Sequence, residues 1–464
     1  MAKHLTINRR YQLPPELEII SDVENPALNR IDIRVNYPKQ ERVCPNCGFH
    51  HCVVKDSGRD QTVRHLPAIG CSVFVTFHRR RFLCKDCGSS YYEPIPWIHD
   101  RLHMTMALMM DICLKLADMK SVHTIAAEEK MVTDEVVTGV LNTISFDRPA
   151  HLPEILCFDE FKGDSGEWNS ERERWDVQKF NCNVTDGANH ILIDVLPSIR
   201  PDYVKNYFMQ YSLEERRRVR YFSCDMSNGF ISVAKSCFPN ATICIDMFHV
   251  VKRLNDGMDI LRRRIQTSLT DSHAEYAQLA DAEADPDKRD SLLASMQLEL
   301  ARYKLLKNAR LLLVTKESSK EELWGTSMAR KRERLEQAPN LSPDLQEMYD
   351  RLQEFHVILE RNEYSLQRAD FTVWLDRCLS SEVPEIRSAA TTLKHWRGYI
   401  QNTWRNRQVS NGVCEGINNK IKVFKRTSYG VHDFESFRRR LLLVCGSIHE
   451  SREPATTFRK KVDD

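Results

Sequence analysis

Ile155-Leu-Cys-Phe-Asp159 is the stretch on which the architecture turns. An apolar, strand-favouring run ends directly in a carboxylate, as expected of a buried strand that carries an acid. The pattern continues outward. Trp175 to Val184 and His190 to Leu196 predict two further strands, separated by the turn Thr185-Asp-Gly-Ala-Asn189. A helical stretch around Tyr203 to Arg217 follows. Val219-Arg-Tyr-Phe-Ser-Cys-Asp225 is then a second apolar run closed by an acid. Gly229 to Ser236 predicts a helix, and Ala241-Thr-Ile-Cys-Ile-Asp246 a fifth strand.

Three antiparallel-type strands, then helix, strand, helix, strand, make an RNase H-like order. In that order the ends of strands one and four are neighbours, so Asp159 and Asp225 are expected side by side. Two adjacent carboxylates repel in a low dielectric unless a cation sits between them. Hard oxygen donors suit Mg²⁺ or Mn²⁺, and a pair of such ions serves phosphodiester displacement. A third acid is needed. Ser410-Asn-Gly-Val-Cys-Glu415-Gly-Ile-Asn-Asn-Lys-Ile-Lys422-Val-Phe-Lys425-Arg426 supplies Glu415 at the start of a helix. Lys422 lies two turns further along the same face. Lys422, Lys425 and Arg426 are candidate DNA contacts within a run of seven basic residues between Cys414 and Arg440. A solvated amphipathic helix is the plainer alternative. Asp246 and His249 are left outside the triad, as a capping Asp and a packed His, although Asp246 also ends a strand near the acids.

Upstream, Cys44-Pro-Asn-Cys47-Gly48 and Cys84-Lys-Asp-Cys87-Gly88 are two copies of one knuckle, able to complete a tetrahedral zinc shell. The 36 residues between the pairs exceed ordinary zinc-ribbon spacing. Ser72-Val-Phe-Val-Thr-Phe-His-Arg-Arg-Arg-Phe-Leu83 fills part of the gap with strand. His50, His51 and Cys52 are expected at the surface. Arg79, Arg80 and Arg81 are expected on phosphate or on a solvated strand edge. Residues 102–145 read as helical, with Leu108, Ile112, Leu116 and Met119 near 3.6 spacing. Ser121 and Thr133 are good N-caps for two short helices that would make a helix-turn-helix, or else a plain helical hairpin. Between Asp246 and Glu415 the pattern is mostly helical. Ser342-Pro343-Asp344 opens one helix, whose stripe is Leu345, Met348, Leu352, Phe355 and Leu359. Ser380 to Pro384 marks a break, and the charged segments 281–290 and 317–322 read as solvated.

The chain has 464 residues with 42% hydrophobic and 28% charged side chains, ordinary for a globular protein. No apolar run approaches the roughly 18 residues that span a bilayer. No secretory leader is evident at the N-terminus, so a cytoplasmic, nucleoid-associated protein is expected. Net charge is +2, yet residues 1–103 hold 15 Lys+Arg against 11 Asp+Glu, and residues 401–464 hold 13 against 7. Basic ends fit a polyanionic partner. Of 15 cysteines only four are paired in motifs, which argues for reduced thiols with metal at the clusters. Walker A and HExxH motifs are missing, so ATPase and zinc-protease classes lack support.

Phe158-Asp-Glu-Phe-Lys-Gly163, Ser223-Cys-Asp-Met-Ser227, Ile245-Asp-Met-Phe-His-Val-Val-Lys-Arg-Leu254, Arg302-Tyr-Lys-Leu-Leu-Lys-Asn-Ala-Arg-Leu-Leu-Leu313 and Asn411-Gly-Val-Cys-Glu-Gly-Ile-Asn-Asn-Lys-Ile-Lys422 together resemble the transposases of the ISL-three insertion-sequence family. The order of modules is similar too. The resemblance implies a DDE transposase with Asp159, Asp225 and Glu415 as its triad. It implies Mg²⁺ or Mn²⁺ at the active site beside structural zinc on Cys44, Cys47, Cys84 and Cys87. The expected partners are double-stranded DNA (terminal inverted repeats and target) and further copies of the chain on that DNA. The α/β RNase H-like core with a large helical insertion would then divide as follows: zinc module 1–100, helix-turn-helix 101–150, core 151–250, helical insertion 251–405, final core helix 406–450, tail 451–464. A domesticated zinc-containing DNA-binding regulator, or a host nuclease of the same fold, is the alternative.

Overall fold

In a computed structural model of the chain, placement is described for residues 11–38, 42–130, 132–163, 166–171, 173–177, 180–320, 332–333, 335–427 and 433–446. The N-terminal part is a seven-stranded sheet. Its strands are β1 (Glu18–Asn25), β2 (Arg30–Asn36), β3 (Cys52–Ala68), β4 (Cys71–Cys84), β5 (Ser90–Tyr92), β6 (Ile98–His99) and β7 (Met104–Thr105). The long β3–β4 hairpin fills the gap between the cysteine pairs. β4 is the strand expected over 72–83. β3 escapes a pattern search because Lys55-Asp-Ser-Gly-Arg-Asp60 has no apolar alternation. Its register slips there, and Gly58 sits at φ +76° with Arg79 O where a Cβ would be. The three arginines lie on an inner strand of the sheet, not on a solvated edge, and each has a partner within the protein. Arg79 is buried and forks onto Asp100, Arg80 forks onto Glu93, and Arg81 reaches Asp56 and Ser90. A strand pair this long must neutralise its own buried cations.

Three helices follow: α1 (Met106–Ala117), α2 (Val122–Glu128) and α3 (Asp134–Thr143). Helix starts later than 102 because Met104–Thr105 pairs as a strand and the Thr105 side chain caps α1. Leu108, Ile112 and Leu116 are fully buried against Ile125, Val137 and Val140. Met119 falls past the helix end in a left-handed conformation, packed on a different cluster. Ser121 caps α2, whereas Thr133 occupies the N-cap of α3 without a side-chain capping bond.

The second large sheet contains β8 (Ile155–Lys162), β11 (Phe180–Asp186), β12 (Ile191–Leu196), β13 (Tyr221–Cys224) and β14 (Thr242–Ile245), in the order β12-β11-β8-β13-β14. A small β9 (Gly166–Asn169) and β10 (Arg174–Val177) hairpin splits what reads in sequence as one strand from 175 to 184. β8, β11 and β12 are antiparallel, while β13 and β14 run parallel to β8. α4 (Pro201–Met209) and α6 (Asn228–Cys237) pack against this sheet through Val204, Phe208, Phe230 and Val233, with the short α5 (Leu213–Arg218) between them in sequence. The single helix expected over 203–217 is broken because Ser212 caps a new one.

Next come α7 (Met247–Ala282), α8 (Pro286–Asn308), α9 (Arg310–Val314), α10 (Pro343–Glu360), α11 (Tyr364–Leu379) and α12 (Pro384–Arg405). Their apolar faces join the sheet's core: Phe158, Phe222, Leu345, Trp374 and Trp404 lie in one continuous cluster. In α10, Ile358 is buried and Leu359 only partly so. Segment 281–290 contains the α7–α8 turn, and residues 321–322 lie outside the described set. α12 seals the exposed edge of β14: Thr403 Oγ1 accepts from Ile245 N at 2.9 Å, and Asn402 Nδ2 donates to Ile243 O at 2.9 Å. α13 (Gly412–Thr427) and α14 (Phe434–Cys445) cover the other face through Ile417, Ile421, Phe424, Phe437 and Leu441. No described helix is long and apolar enough to cross a membrane.

Candidate active site and zinc centre

Both knuckles fold identically. Cys44 N donates to Phe49 O and Gly48 N to Cys44 O. Cys84 N donates to Ser89 O and Gly88 N to Cys84 O. Gly48 and Gly88 hold φ +74° and +70°, a conformation other residues resist. The four sulfurs lie within 4.8 Å of one another, with Cys44–Cys87 and Cys47–Cys84 Sγ pairs at 3.6 Å. Tetrahedral zinc with Zn–S bonds of about 2.3 Å wants sulfurs roughly 3.8 Å apart. The quartet therefore fits zinc. Cys52 is not a surface residue: it is buried beside the quartet and pairs across the hairpin with Cys84, while His50 and His51 are exposed.

The acids are ordered by strand register. β13 pairs in parallel with β8 through Ser223↔Cys157, and with β14 through Cys224↔Ile245. Continuing that register places Asp159, Asp225 and Asp246 in one row across three adjacent strands, with strand spacing of about 4.8 Å. Asp246 N donates to Cys224 O at 2.8 Å, which ties the row together. Burial pushes Asp159 up to about 6, helped by the charges of Asp225 and Asp246 and opposed by Glu160 N–H and His249. Burial also raises Asp225, with Asp246 adding to it and His249 and Lys252 opposing. Asp225 Oδ1 is buried with no hydrogen-bond partner among the described residues. Asp246 has both oxygens engaged: Oδ1 accepts from Phe248 N at 3.2 Å as the cap of α7, and Oδ2 pairs with His249 Nδ1 at 2.9 Å. That bond raises the His249 pKa, which favours the protonated imidazole beside the two aspartates.

Glu415 is exposed on the first turn of α13, and among the described residues its carboxylate makes no hydrogen bond or ion pair. At 100° per residue, Asn411, Glu415, Asn418 and Lys422 share one flank of this helix. Two of them touch β8. Asn411 Nδ2 donates to Phe158 O at 3.3 Å, and Asn418 Nδ2 donates to Asp159 Oδ2 at 2.8 Å. Glu415 thus lies on the flank nearest Asp159, at its solvent side. Only the cysteine quartet, among the described residues, brings three or more candidate ligand atoms within 4.8 Å of one another. The carboxylates share a row without converging that tightly.

Of the basic run, Lys420, Lys422 and Arg426 are exposed. Lys425 donates to Lys162 O and lies over the Phe161 and Phe437 rings. Arg438 forks onto buried Asp194, Arg439 bonds Asn142, and Arg440 is buried with Nη2 on Lys120 O. Beside the acids, a groove of about 560 Å³ is lined by Phe161, Lys162, Phe180, Lys422, Lys425 and Arg426, among others.

A family described as transposase, of the ISL3 DDE type, matches residues 156–441. The chain belongs to this transposase family. Residues 40–87 match the zinc finger of the transposases of IS204, IS1001, IS1096 and IS1165. The transposase for insertion sequence element IS1001 of Bordetella parapertussis is 21% identical over 400 residues, covering 85% of this chain and 86% of that protein. The transposase for insertion sequence element IS1557 of Mycobacterium tuberculosis is 26% identical over 234 residues, covering 48% of this chain and 47% of its own length. The family span contains Asp159, Asp225 and Glu415, and the zinc-finger span contains all four knuckle cysteines.

Sequence reasoning passed over Asn183 and Asn418, which meet at Asp159. A signal was available: Asn181, Asn183 and Thr185 alternate along β11 and are all fully buried, a polar stripe where a core strand should be apolar.

Proposed function

We propose that this family member is an active enzyme that binds the terminal inverted repeats of its element, cleaves the DNA there and joins the freed 3′-hydroxyl to target DNA. The observation that carries it is the row of Asp159 and Asp225 at the ends of neighbouring strands β8 and β13, both raised by burial, with Asp225 Oδ1 unpartnered among the described residues. Oxygen donors so placed fit Mg²⁺ or Mn²⁺. Asp159, Asp225 and Glu415 would hold the ions, which when bound activate the attacking oxygen and stabilise the leaving one. Glu415 is favoured over Asp246 as third ligand because Asp246 is already paired with His249 and caps α7, whereas the Glu415 carboxylate makes no hydrogen bond or ion pair among the described residues.

The rest is positioning by the chain itself. Lys422, on the Glu415 flank, and Arg426 offer exposed charge to the backbone of double-stranded DNA and line the groove beside the acids. Lys425 shapes that groove from its seat on Lys162 and the two phenylalanines. His249 would hold the Asp246 carboxylate away from the other two acids through its Nδ1 contact. The zinc ribbon and α1–α3, read as a helix-turn-helix with α3 presented to the groove, would grip the end sequence. Asp134 and Glu135 in the first turn of α3 are suited to accept from cytosine amino groups. Two ends require two active sites, so copies of the chain would assemble on DNA.

A nicking assay on end-sequence DNA with Mg²⁺ tests the assignment. Wild type should cleave and Asp159→Ala should not; equal cleavage by both rejects it.

A further inference from the structure

Two buried asparagines do more than fill space. Asn183 on β11 is fully buried and Asn418 on α13 is 7% exposed. Asp159 N donates to Asn183 Oδ1 at 3.0 Å, Asn183 Nδ2 donates to Asn418 Oδ1 at 2.7 Å, and Asn418 Nδ2 donates to Asp159 Oδ2 at 2.8 Å. The three bonds close a ring that begins and ends on one residue. Its polarity is forced. A main-chain N–H can only donate, so Asn183 must turn its oxygen to Asp159 and its nitrogen to Asn418. Asn418 must then answer with oxygen and send its nitrogen to the carboxylate. Neither amide can flip without setting donor against donor or acceptor against acceptor.

The ring also spans three elements that are far apart in sequence: β8, β11 and α13. Asn418 Nδ2 additionally approaches Glu160 O at 3.3 Å, and Glu160 N holds Asp159 Oδ1 at 2.8 Å. Both oxygens of Asp159 are therefore fixed in direction, each with a lone pair still open. Glu415 lies three residues before Asn418 on the same flank, so whatever registers Asn418 registers Glu415.

We propose that Asn183 and Asn418 are positioning residues of the acidic site, a two-amide relay that sets the Asp159 carboxylate and the Glu415 turn of α13 against each other. It rests on Asp159 being a metal ligand, as put forward above. Groups that orient a metal ligand commonly change metal affinity or activity 10–100-fold when removed.

The test uses full-length Asn418→Leu, Asn183→Ser, the double variant and Asp159→Asn, each first checked for folding by thermal melting. Mn²⁺ alone is the probe, its binding followed by the loss of the free-ion electron paramagnetic resonance signal. Asn418→Leu should weaken Mn²⁺ binding about 10-fold or more. Asn183→Ser, one bond further out, should shift it the same way by less. It carries the test alone if the leucine variant does not fold. The double variant should be no worse than Asn418→Leu, since a relay broken once is broken. Single-turnover cleavage should lose maximal rate while affinity for end DNA holds. Mn²⁺ binding within about twofold of wild type in a folded relay variant overturns the proposal, as do independent, multiplying losses in the double variant. If those results come with a normal Asp159→Asn defect, the relay falls and the metal site stands. If Asp159→Asn itself binds Mn²⁺ like wild type, both fall.

Discussion

Asp159→Asn should stabilise the metal-free protein while destroying its activity. The wild-type carboxyl is buried, 9% exposed, and its pKa is raised from 3.8 to about 6. At about 1.4 kcal/mol per unit, keeping it ionised at pH 7.5 costs the fold at most ~3 kcal/mol. Asparagine removes that cost but cannot accept from both Asn418 Nδ2 and Glu160 N. One lost hydrogen bond takes back about 1 kcal/mol. The net gain is about 1–2 kcal/mol, roughly 3–6 °C in melting temperature for a unit of this size. The sign of the pH dependence follows. Between about pH 4 and 6 the native carboxyl holds a proton that the unfolded chain has released, so wild-type stability falls as pH rises through that window. The variant should lack this slope. Saturating Mg²⁺ should stabilise wild type and leave the variant unmoved. Thermal unfolding in chelator and in Mg²⁺, from pH 5 to 7.5, measures all of this. A variant that melts at or below wild type in chelator at pH 7.5, or a wild type whose stability relative to the variant does not fall between about pH 5 and 6, would refute the reasoning.

Removing Asp194 should be severe. Its buried carboxylate holds Arg438 by two bonds and accepts from Tyr207. Asp194→Ala is expected to cost about 3–5 kcal/mol, read as a lower denaturant midpoint, whereas Asp194→Leu with Arg438→Met should recover most of it. Lys422→Ala and Arg426→Ala should each flatten the log–log salt dependence of end-DNA binding by about 0.9. Lys425→Ala should leave that slope nearly unchanged and lower stability instead, because its ammonium is seated on Lys162 and two rings. Cys84→Ser should lose bound zinc, measured by elemental analysis, and open the β3–β4 hairpin to protease while the sheet around β8 stays protected.

The second sheet was the more legible half of the molecule, for a physical reason. Its strands are buried on both faces, so Ile155–Asp159, Tyr221–Asp225 and Thr242–Asp246 stand out as apolar runs, and each stops at an acid. β3 was invisible because its outer half is solvated and its hydrogen bonds, not its side chains, hold it in the sheet. Charge was the least reliable guide. The basic run near the C-terminus looked like one DNA-binding face, yet Arg438 and Arg440 turn inward to Asp194 and Lys120, and Arg439 is held by Asn142. Sequence counts charges but does not show which have partners. The relay was hidden for the same reason: an Asn in a strand and an Asn in a helix 235 positions later have no common signature until the fold joins them.

The long helical block that precedes Glu415, the proposed third acid, has a structural logic. β14 would leave an open sheet edge next to Asp246, and an unpaired edge invites association with other strands. α12 closes it through Asn402 and Thr403 at the end of the helical block. The chain then needs only Asn406 to Asn411 to cross to the opposite face and start α13 against β8. The helical block therefore does two jobs with one path: it caps the sheet edge, and it leads the chain to the side of Asp159 where Asn411 and Asn418 anchor the start of α13 and with it Glu415. On this account, Thr403→Val combined with Asn402→Leu should disturb Glu415 as well as β14. The expected result is increased hydrogen exchange in both α13 and β14; exchange confined to β14 would separate the two jobs and defeat the idea that edge sealing and delivery of the acid are coupled.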